Sequence, residues 1–266
     1  MKVPLNPFKA QLATGEPHFG CWAGFATGYA TEVLASVGYD WLLIDGEHAP
    51  NTVPSILAQL QAVAPYASAP VVRAVSGDAV LIKQLLDIGV QSLMVPMVDS
   101  AEQAQALVRA MRYPPHGIRG VGGGLTRATR WDAVENYMQH AHEQLCLVVQ
   151  VESRLGSDNV EAIAAVDGVD AVFIGPADLS TDLGHAGNPG HPEVQQRIRQ
   201  AIDATRAAGK VCGILAPRED DARRYLQWGC QFVAVGLDVV LMRQAALANL
   251  GLYREVAKPS EASRTY

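Results

Sequence analysis

Residues with polar side-chain groups that could take part in chemistry lie at or near the ends of short apolar runs at many points along the sequence. Those in such positions are Trp22, Asp45, Glu47, His48, Arg73, Gln150, Glu152, Asp178 and Asp238. Glu152 and Asp178 follow neighbouring runs, and carboxylate oxygens are the ligands that Mg²⁺ and Mn²⁺ prefer. The spacing predicts a divalent-metal site; the alternative is that both acids cap loops or pair with Arg154 and Arg119.

Three further residues have chemistry that suits a reaction centre. His48 follows Asp45-Gly46-Glu47, where it predicts a general base, with an ordinary polar loop residue as the alternative. Arg73 ends a buried run, so its charge needs an anionic partner: either a substrate carboxylate or enolate, or a structural pair with Glu47 or Asp45. Asp87 lies near the C-terminus of a predicted helix, where it opposes the helix dipole. A hydrogen bond from His48 would compensate it; a surface position is the default.

The elements that must position these residues alternate between apolar runs rich in Val and Ile and longer amphipathic stretches. The pattern predicts eight strands, at 19–25, 41–44, 70–73, 92–98, 147–151, 171–174, 211–215 and 232–235. Each strand precedes a predicted helix, at 27–37, 53–63, 78–88, 101–111, 159–166, 192–208, 220–228 and 239–250. Continuous apolar strands are typical of a parallel sheet that is covered on both faces.

Eight such units without a linker predict a single (β/α)8 TIM barrel over residues 1–257, followed by a disordered polar tail at 258–266. An open doubly wound sheet is the alternative, disfavoured because no G-x-G-x-x-G turn follows the first strand. In such a barrel the catalytic residues lie at the C-terminal ends of the strands, so the polar residues converge on one mouth.

A glycine-, proline- and arginine-rich segment, residues 113–130, interrupts the alternation and precedes a short predicted helix at 132–144. It contains Gly122-Gly123-Gly124 but no phosphate-binding G-x-x-x-x-G-K-[ST] pattern. The segment therefore predicts a mobile loop over the barrel mouth, with Arg119, Arg127 and Arg130 nearby.

Composition and charge exclude several classes of function. The 266 residues include 21 Lys and Arg against 27 Asp and Glu, which argues against a nucleic-acid surface. The first twenty residues contain no continuous apolar run, so we expect no secretory signal, and no apolar run is long enough to predict a membrane span. Four scattered cysteines without a C-x-x-C motif indicate buried, reduced thiols in a cytoplasmic protein. The lysines are Lys2, Lys9, Lys83, Lys210 and Lys258; none is well placed for a Schiff base in the mouth.

Several motifs resemble the 4-hydroxy-2-oxoheptanedioate aldolases, which are metal-dependent (class II) pyruvate aldolases. They are WLLIDGEHAP at 41–50, RYPP at 112–115, GIRGVG at 117–122, VQVE at 149–152, the segment 173–179 and GNP at 187–189. The resemblance covers about residues 8–250. It implies a (β/α)8 barrel of the phosphoenolpyruvate/pyruvate type, a homohexamer built as a trimer of dimers, and an eighth helix exchanged between subunits.

The resemblance also implies residue roles. Glu152 and Asp178 would be the protein ligands of Mg²⁺, Mn²⁺ or Co²⁺, with no nucleotide cofactor. His48 would be the base, Asp87 would raise its basicity, and Arg73 would stabilise an enolate. Gln150 and the backbone N–H of Ala177 would hold pyruvate, and Trp22 and Leu215 would shape the acceptor pocket. The full set of implied substrate contacts is Trp22, Asp45, Gln150, Gly175, Pro176, Ala177, Asp178 and Leu215.

The expected reaction is reversible retro-aldol cleavage of a 4-hydroxy-2-oxo acid, such as 4-hydroxy-2-oxoheptanedioate, in aromatic catabolism. Its products are pyruvate and an aldehyde such as succinic semialdehyde, and hydroxypyruvate is the other expected donor. Three alternatives stay open at this point. They are a 2-dehydro-3-deoxyglucarate-type aldolase that gives tartronate semialdehyde, a citrate-lyase-like acyl-CoA lyase, and a catalytically inactive binding barrel.

Overall fold

Eight parallel strands close into one barrel in the order of the sequence, which confirms the predicted fold. The structure, a computed structural model, describes residues 1–256. The strands are β1 (His18–Ala23), β2 (Trp41–Asp45), β3 (Ala69–Arg73), β4 (Ser92–Val95), β5 (Cys146–Val151), β6 (Ala171–Ile174), β7 (Val211–Leu215) and β8 (Phe232–Leu237). The predicted tail at 258–266 lies outside the described residues.

Helices surround the barrel and follow the strands as predicted. They are α1 (Pro7–Leu12), α2 (Gly28–Ala35), α3 (Val53–Val63), α4 (Ala79–Asp87), α5 (Ala101–Met111), α6 (Tyr137–His140), α7 (Arg154–Asp158), α8 (Val160–Ala164), α9 (Pro176–Asp182), α10 (Pro192–Ala207), α11 (Glu219–Trp228) and α12 (Asp238–Val256). Three short helices were not predicted: α1 before β1, α7 after β5 and α9 directly after β6. Among residues 1–256, no helix has both the length and the hydropathy to cross a bilayer.

Aromatic side chains fill the barrel interior and close its N-terminal end. Phe8 of α1 is fully buried, with its ring centroid 5.8 Å from that of Trp41 and 5.6 Å from that of Phe232. Gly20 and Gly213 leave room for two of these rings, because a Cβ on either would collide with Trp41 or Phe232. With this end plugged, a substrate can enter only from the C-terminal ends of the strands, which we call the mouth.

The irregular segment, observed at residues 112–145, lies at the plugged end and not over the mouth of its own barrel. It connects the end of α5 to the start of β5, and every helix-to-strand connection of this fold lies at the N-terminal face. Arg119 is buried there and donates to Asp87 over 2.9 Å, while Arg127 donates to the carbonyl of Ile88 over 2.9 Å. The expectation of a lid over this mouth is therefore wrong for a single chain.

The short helix expected at 132–144 is reduced to α6 and a 3₁₀ turn at Ala141–Gln144. The four cysteines, Cys21, Cys146, Cys212 and Cys230, are buried free thiols, as expected. The fold thus leaves one open face for chemistry, at the strand ends where the polar residues were predicted.

Candidate active site

The parallel register brings the polar residues at the strand ends into one group. Asp45 ends β2 and pairs in register with Arg73, the last residue of β3. Glu152 follows β5 directly, and Asp178 lies in the first turn of α9, which begins two residues after β6. Because the strands are parallel, all four residues are presented at the mouth.

A buried ion pair between Arg73 and Asp45 lies at the centre of this group. Arg73 is only 6% exposed, and its Nε and Nη2 donate to the two oxygens of Asp45 over 2.9 and 2.6 Å. Burial alone would raise the pKa of Asp45, but the hydrogen bonds and charge of Arg73 outweigh it and lower the pKa. The indole N–H of Trp22 also donates to Asp45, over 3.3 Å. Of the two alternatives given for Arg73 from the sequence, the structural ion pair with Asp45 is therefore present.

Glu47 is a member of the site that the sequence placed at a strand end but to which it gave no role beyond a pair with Arg73. Its Oε2 lies 2.9 Å from Nη1 of Arg73, in a geometry that is not aligned as a hydrogen bond. Burial raises the pKa of Glu47; Arg73 and His48 oppose the rise, and Asp45 and Asp178 add to it. The charge of Arg73 could have identified Glu47 from the sequence, because a planar guanidinium can bind two carboxylates at once.

Glu152 is a nearly fully buried carboxylate, 2% exposed, in contact with polar groups of β5 and of the loop after β4. Its Oε1 accepts the backbone N–H of Met97 over 3.0 Å, and its Oε2 accepts from Nε2 of Gln150. Burial raises the pKa of Glu152 to about 7; the Met97 N–H opposes the rise, and the charges of Asp178 and Glu47 add to it. Gly175 must be glycine, since a Cβ there would collide with this carboxylate.

These oxygen atoms fit a hard divalent cation. Mg²⁺ is commonly held by one or two carboxylates, with water and substrate at its other positions. Glu152 and Asp178 supply such a pair, and each negative charge disfavours ionisation of its neighbours until a cation compensates it. Gln150 adds a buried Oε1 with no hydrogen-bond partner among the described residues, so an oxygen acceptor is directed into the same group.

His48 and Asp87 do not meet within the chain. The His48 side chain is 67% exposed, and its Nε2 lies 3.9 Å from Oε2 of Glu47. Asp87 ends α4, which runs from the mouth to the plugged face over about 13 Å. There Asp87 accepts from Arg119. The compensating partner of Asp87 in this chain is therefore Arg119, and a contact with His48 requires a second copy of the chain.

The remaining predicted substrate contacts lie around the mouth. Trp22, Gly175 and Pro176 are buried, Leu215 at the end of β7 is half-buried, and Ala177 is exposed in the first turn of α9. Asp238, by contrast, accepts the backbone N–H groups of Gly24 and Phe25 over 2.9 and 3.2 Å. It therefore fastens β8 to the loop after β1.

Comparison with known proteins agrees with this architecture. The sequence profile described as HpcH/HpaI aldolase/citrate lyase matches residues 18–245. The chain belongs to the HpcH/HpaI aldolase/citrate lyase family. It is 69% identical to a hydroxypyruvate/pyruvate aldolase of Delftia acidovorans, with all of both chains covered. It is 53% identical to a 2-keto-3-deoxy-L-rhamnonate aldolase of Salmonella paratyphi B, over 98% of each chain.

A solved HpcH/HpaI family structure from Burkholderia cenocepacia superposes with a TM-score of 0.91 at 39% identity, covering 94% of this chain and 99% of that one. Membership of this family confirms the expected class of enzyme, a carbon–carbon lyase. It also corrects the resemblance drawn from the motifs, which was too narrow. The family is confirmed, but the relatives named here are hydroxypyruvate/pyruvate and sugar-acid aldolases, not 4-hydroxy-2-oxoheptanedioate aldolases.

We predict that Glu152→Gln stabilises the metal-free protein at pH 8 by about 3 kcal/mol, because the substitution removes a buried charge. The pKa of Glu152 is about 7 in the folded chain against an ordinary 4.5, so the folded state binds this proton more tightly. Its contribution to stability therefore falls as pH rises from about 4.5 to about 7. Urea unfolding in EDTA across this range checks the prediction. Equal stabilities of both proteins at pH 8 would contradict it.

Proposed function

We propose that this protein is a divalent-metal-dependent aldolase that reversibly cleaves a 4-hydroxy-2-oxo acid to an aldehyde and pyruvate or hydroxypyruvate. The observation that carries the proposal is the buried Arg73, held by Asp45 and Glu47 beside the Glu152 and Asp178 carboxylates at the mouth. A cationic side chain and a cation-binding carboxylate pair are then available to the same anionic substrate.

Glu152 and Asp178 are the residues that would hold the ion, Mg²⁺, Mn²⁺ or Co²⁺. When bound, such an ion supplies Lewis acidity toward the carboxylate and keto oxygens of a 2-oxo acid. Imine chemistry has less support, because two lysines bond to carbonyls at the plugged face. Lys9 donates to Leu145 over 2.8 Å and Lys210 donates to Val169 over 2.7 Å.

Arg73 is the residue placed to stabilise negative charge that develops on the C2 oxygen. A guanidinium carries five N–H donors, and the pairs with Asp45 and Glu47 leave some of them free for substrate. Those two acids also fix the plane of the group, so its orientation needs no adjustment during the reaction. The indole of Trp22, 5.2 Å from the guanidinium carbon, covers one side of it.

His48 acts as the base in the cleavage direction. It takes the proton of the C4 hydroxyl, the C3–C4 bond breaks, and the C4 carbon leaves as an aldehyde. The bonding electron pair delocalises onto the C2 oxygen next to Arg73, and protonation at C3 then gives the 2-oxo acid. An exposed position at the mouth suits this role, since an exchangeable proton must reach solvent.

The remaining residues orient the donor. Gln150, fixed by its hydrogen bond to Glu152, directs its free carbonyl oxygen into the site. Ala177 lies in the first turn of α9, where backbone N–H groups have no partner within the helix. Its N–H would bind the substrate carboxylate, with Gly175 and Pro176 forming the adjacent wall. Trp22 and Leu215 would contact the acceptor side.

The relatives favour hydroxypyruvate and pyruvate as donors over the 4-hydroxy-2-oxoheptanedioate substrate expected from the motifs. Relatives that share 57 to 69% identity with this chain carry the name hydroxypyruvate/pyruvate aldolase. A sugar-acid aldolase is the second candidate, because of the rhamnonate-acting relative at 53% identity. Buried unpaired thiols also support a reducing, cytoplasmic location.

The direct test measures aldol addition of pyruvate or hydroxypyruvate to a panel of aldehydes, with and without EDTA. We expect both donors to react with Mg²⁺ or Mn²⁺ present, and EDTA to abolish the reaction until excess metal is added back. Activity that survives complete metal removal would refute the metal mechanism. The reverse reaction is measured as release of the 2-oxo acid from candidate aldols, and preference for a deoxysugar acid there would favour the second candidate.

We predict that Arg73→Lys lowers kcat by about 10²- to 10³-fold, as loss of an oxyanion-stabilising donor does. Lysine keeps the charge but cannot bridge two carboxylates and a substrate oxygen in one plane. Steady-state kinetics of the variant check this, with Arg199→Lys in the exposed pair with Asp203 as the matched control. A near-normal kcat for Arg73→Lys would show that Arg73 is only structural.

An oligomer would bring Asp87 to His48, and we propose the homohexamer with exchanged eighth helices as that assembly. Helix α12 corresponds to the eighth helix of the barrel, and many of its apolar side chains are exposed. They are Val239, Val240, Leu241, Met242, Leu247, Leu250 and Leu252. An apolar surface of this extent is typical of a subunit interface.

We predict that two inactive variants, His48→Ala and Asp87→Asn, restore activity when they are refolded together. If one chain supplies His48 and its neighbour supplies Asp87, a site is complete when each neighbour is the variant that keeps its own residue. Random mixing of equal amounts therefore gives about a quarter of the active sites both residues. Activity of the mixture, compared with each variant refolded alone, checks this. If both residues act within one chain, or if Asp87 is only structural, mixing restores nothing.

A further inference from the structure

A group of two histidines and a glutamate lies in the connection between α9 and α10, outside the site described above. We call His185, His191 and Glu193 the histidine cluster. One ligand atom from each of the three lies within 4.8 Å of the other two. In residues 1–256, no other group of three or more His, Cys, Asp or Glu side chains meets this condition.

The backbone holds the cluster in position by local hydrogen bonds. The N–H of His185 donates to the carbonyl of Ser180 over 2.7 Å, and the N–H of His191 donates to that of Asn188 over 3.1 Å. Nδ1 of His191 accepts the N–H of Glu193 over 3.3 Å, so this imidazole caps α10. The last of these bonds fixes the His191 ring before any ligand binds, which lowers the entropy lost on binding.

The three ligand atoms lie close enough to share one ion, to which both rings turn once His185 rotates out of its stack with His191. Nε2 of His185 lies 2.8 Å from Oε2 of Glu193, and the two imidazole rings stack with centroids 3.5 Å apart. Imidazole binds a metal in its neutral form, through a ring nitrogen that carries no proton. The hydrogen bond from His185 lowers the pKa of Glu193, so its carboxylate is ionised.

We propose that the histidine cluster is a second metal site, for a transition ion such as Cu²⁺, Ni²⁺ or Zn²⁺. Imidazole nitrogen suits these ions, whereas the all-oxygen pair of Glu152 and Asp178 suits Mg²⁺ and Mn²⁺. A bound ion would tie the 183–191 segment to the start of α10 at the mouth side of the barrel. That segment directly follows α9, the helix that carries Asp178.

Cu²⁺ is the probe of choice, because it binds nitrogen and oxygen sites most strongly among the first-row divalent ions. One equivalent is added to the untagged protein with excess Mg²⁺, and binding is followed by titration and by electron paramagnetic resonance. We expect hyperfine splitting from two nitrogen ligands in the wild type. His185→Ala should remove one nitrogen and weaken Cu²⁺ binding at least about tenfold, since even groups that only orient a ligand contribute 10- to 100-fold.

The matched control is His140→Ala. His140 forms the same kind of pair, with Nδ1 2.8 Å from Oε1 of Glu143, but no third group completes it among the described residues. We expect this variant to bind Cu²⁺ as the wild type does. Glu193→Gln, which keeps the shape of the side chain, tests the cluster again should His185→Ala fold poorly. Unchanged Cu²⁺ affinity and nitrogen splitting in both cluster variants would overturn the proposal and leave a hydrogen-bonded helix cap.

Discussion

The buried guanidinium of Arg73 is the constraint on which the arrangement of the mouth depends. A charge at the end of a barrel strand is removed from water and needs anionic partners to be tolerated there. The parallel register meets this need by placing Asp45 opposite Arg73 on the next strand, and the following turn supplies Glu47. Asp45 stays ionised as a result, and the guanidinium is held in one plane.

One cation does not balance the carboxylates that surround it. A single guanidinium lies beside four acids, which are Asp45, Glu47, Glu152 and Asp178. Two of them, Glu47 and Glu152, have pKa values raised above the ordinary value. A protein can relieve such a surplus by protonation or by binding a divalent ion. Binding of a divalent ion would also favour binding of an anionic keto acid, because the ion and Arg73 attract the same negative oxygens.

Much of this arrangement could be predicted from the sequence, for reasons that are local. The runs that lead to Asp45, Arg73 and Glu152 are largely apolar, so parallel strands and the position of their ends follow directly. The remainder depends on long-range geometry. The segment 112–145 was expected over the mouth because of its glycines and arginines, yet its place between a helix and a strand assigns it to the opposite face. Asp87 follows the same rule, and its partner is Arg119, 32 residues away. The histidine cluster escaped notice because glycines and prolines separate its members in sequence, and only the folded connection stacks the two rings.

The most direct test of the central claim follows deuterium uptake at C3 of pyruvate in D₂O by proton NMR, with Mg²⁺ and no acceptor aldehyde. This isolates the step in which negative charge develops on the C2 oxygen, free of any assumption about the aldehyde. We predict that the wild type exchanges this proton and that EDTA abolishes the exchange. We also predict that Glu152→Gln reduces it at least about 100-fold, which is the scale of losing one charge-stabilising group. Exchange that continues undiminished in EDTA and in Glu152→Gln would contradict it.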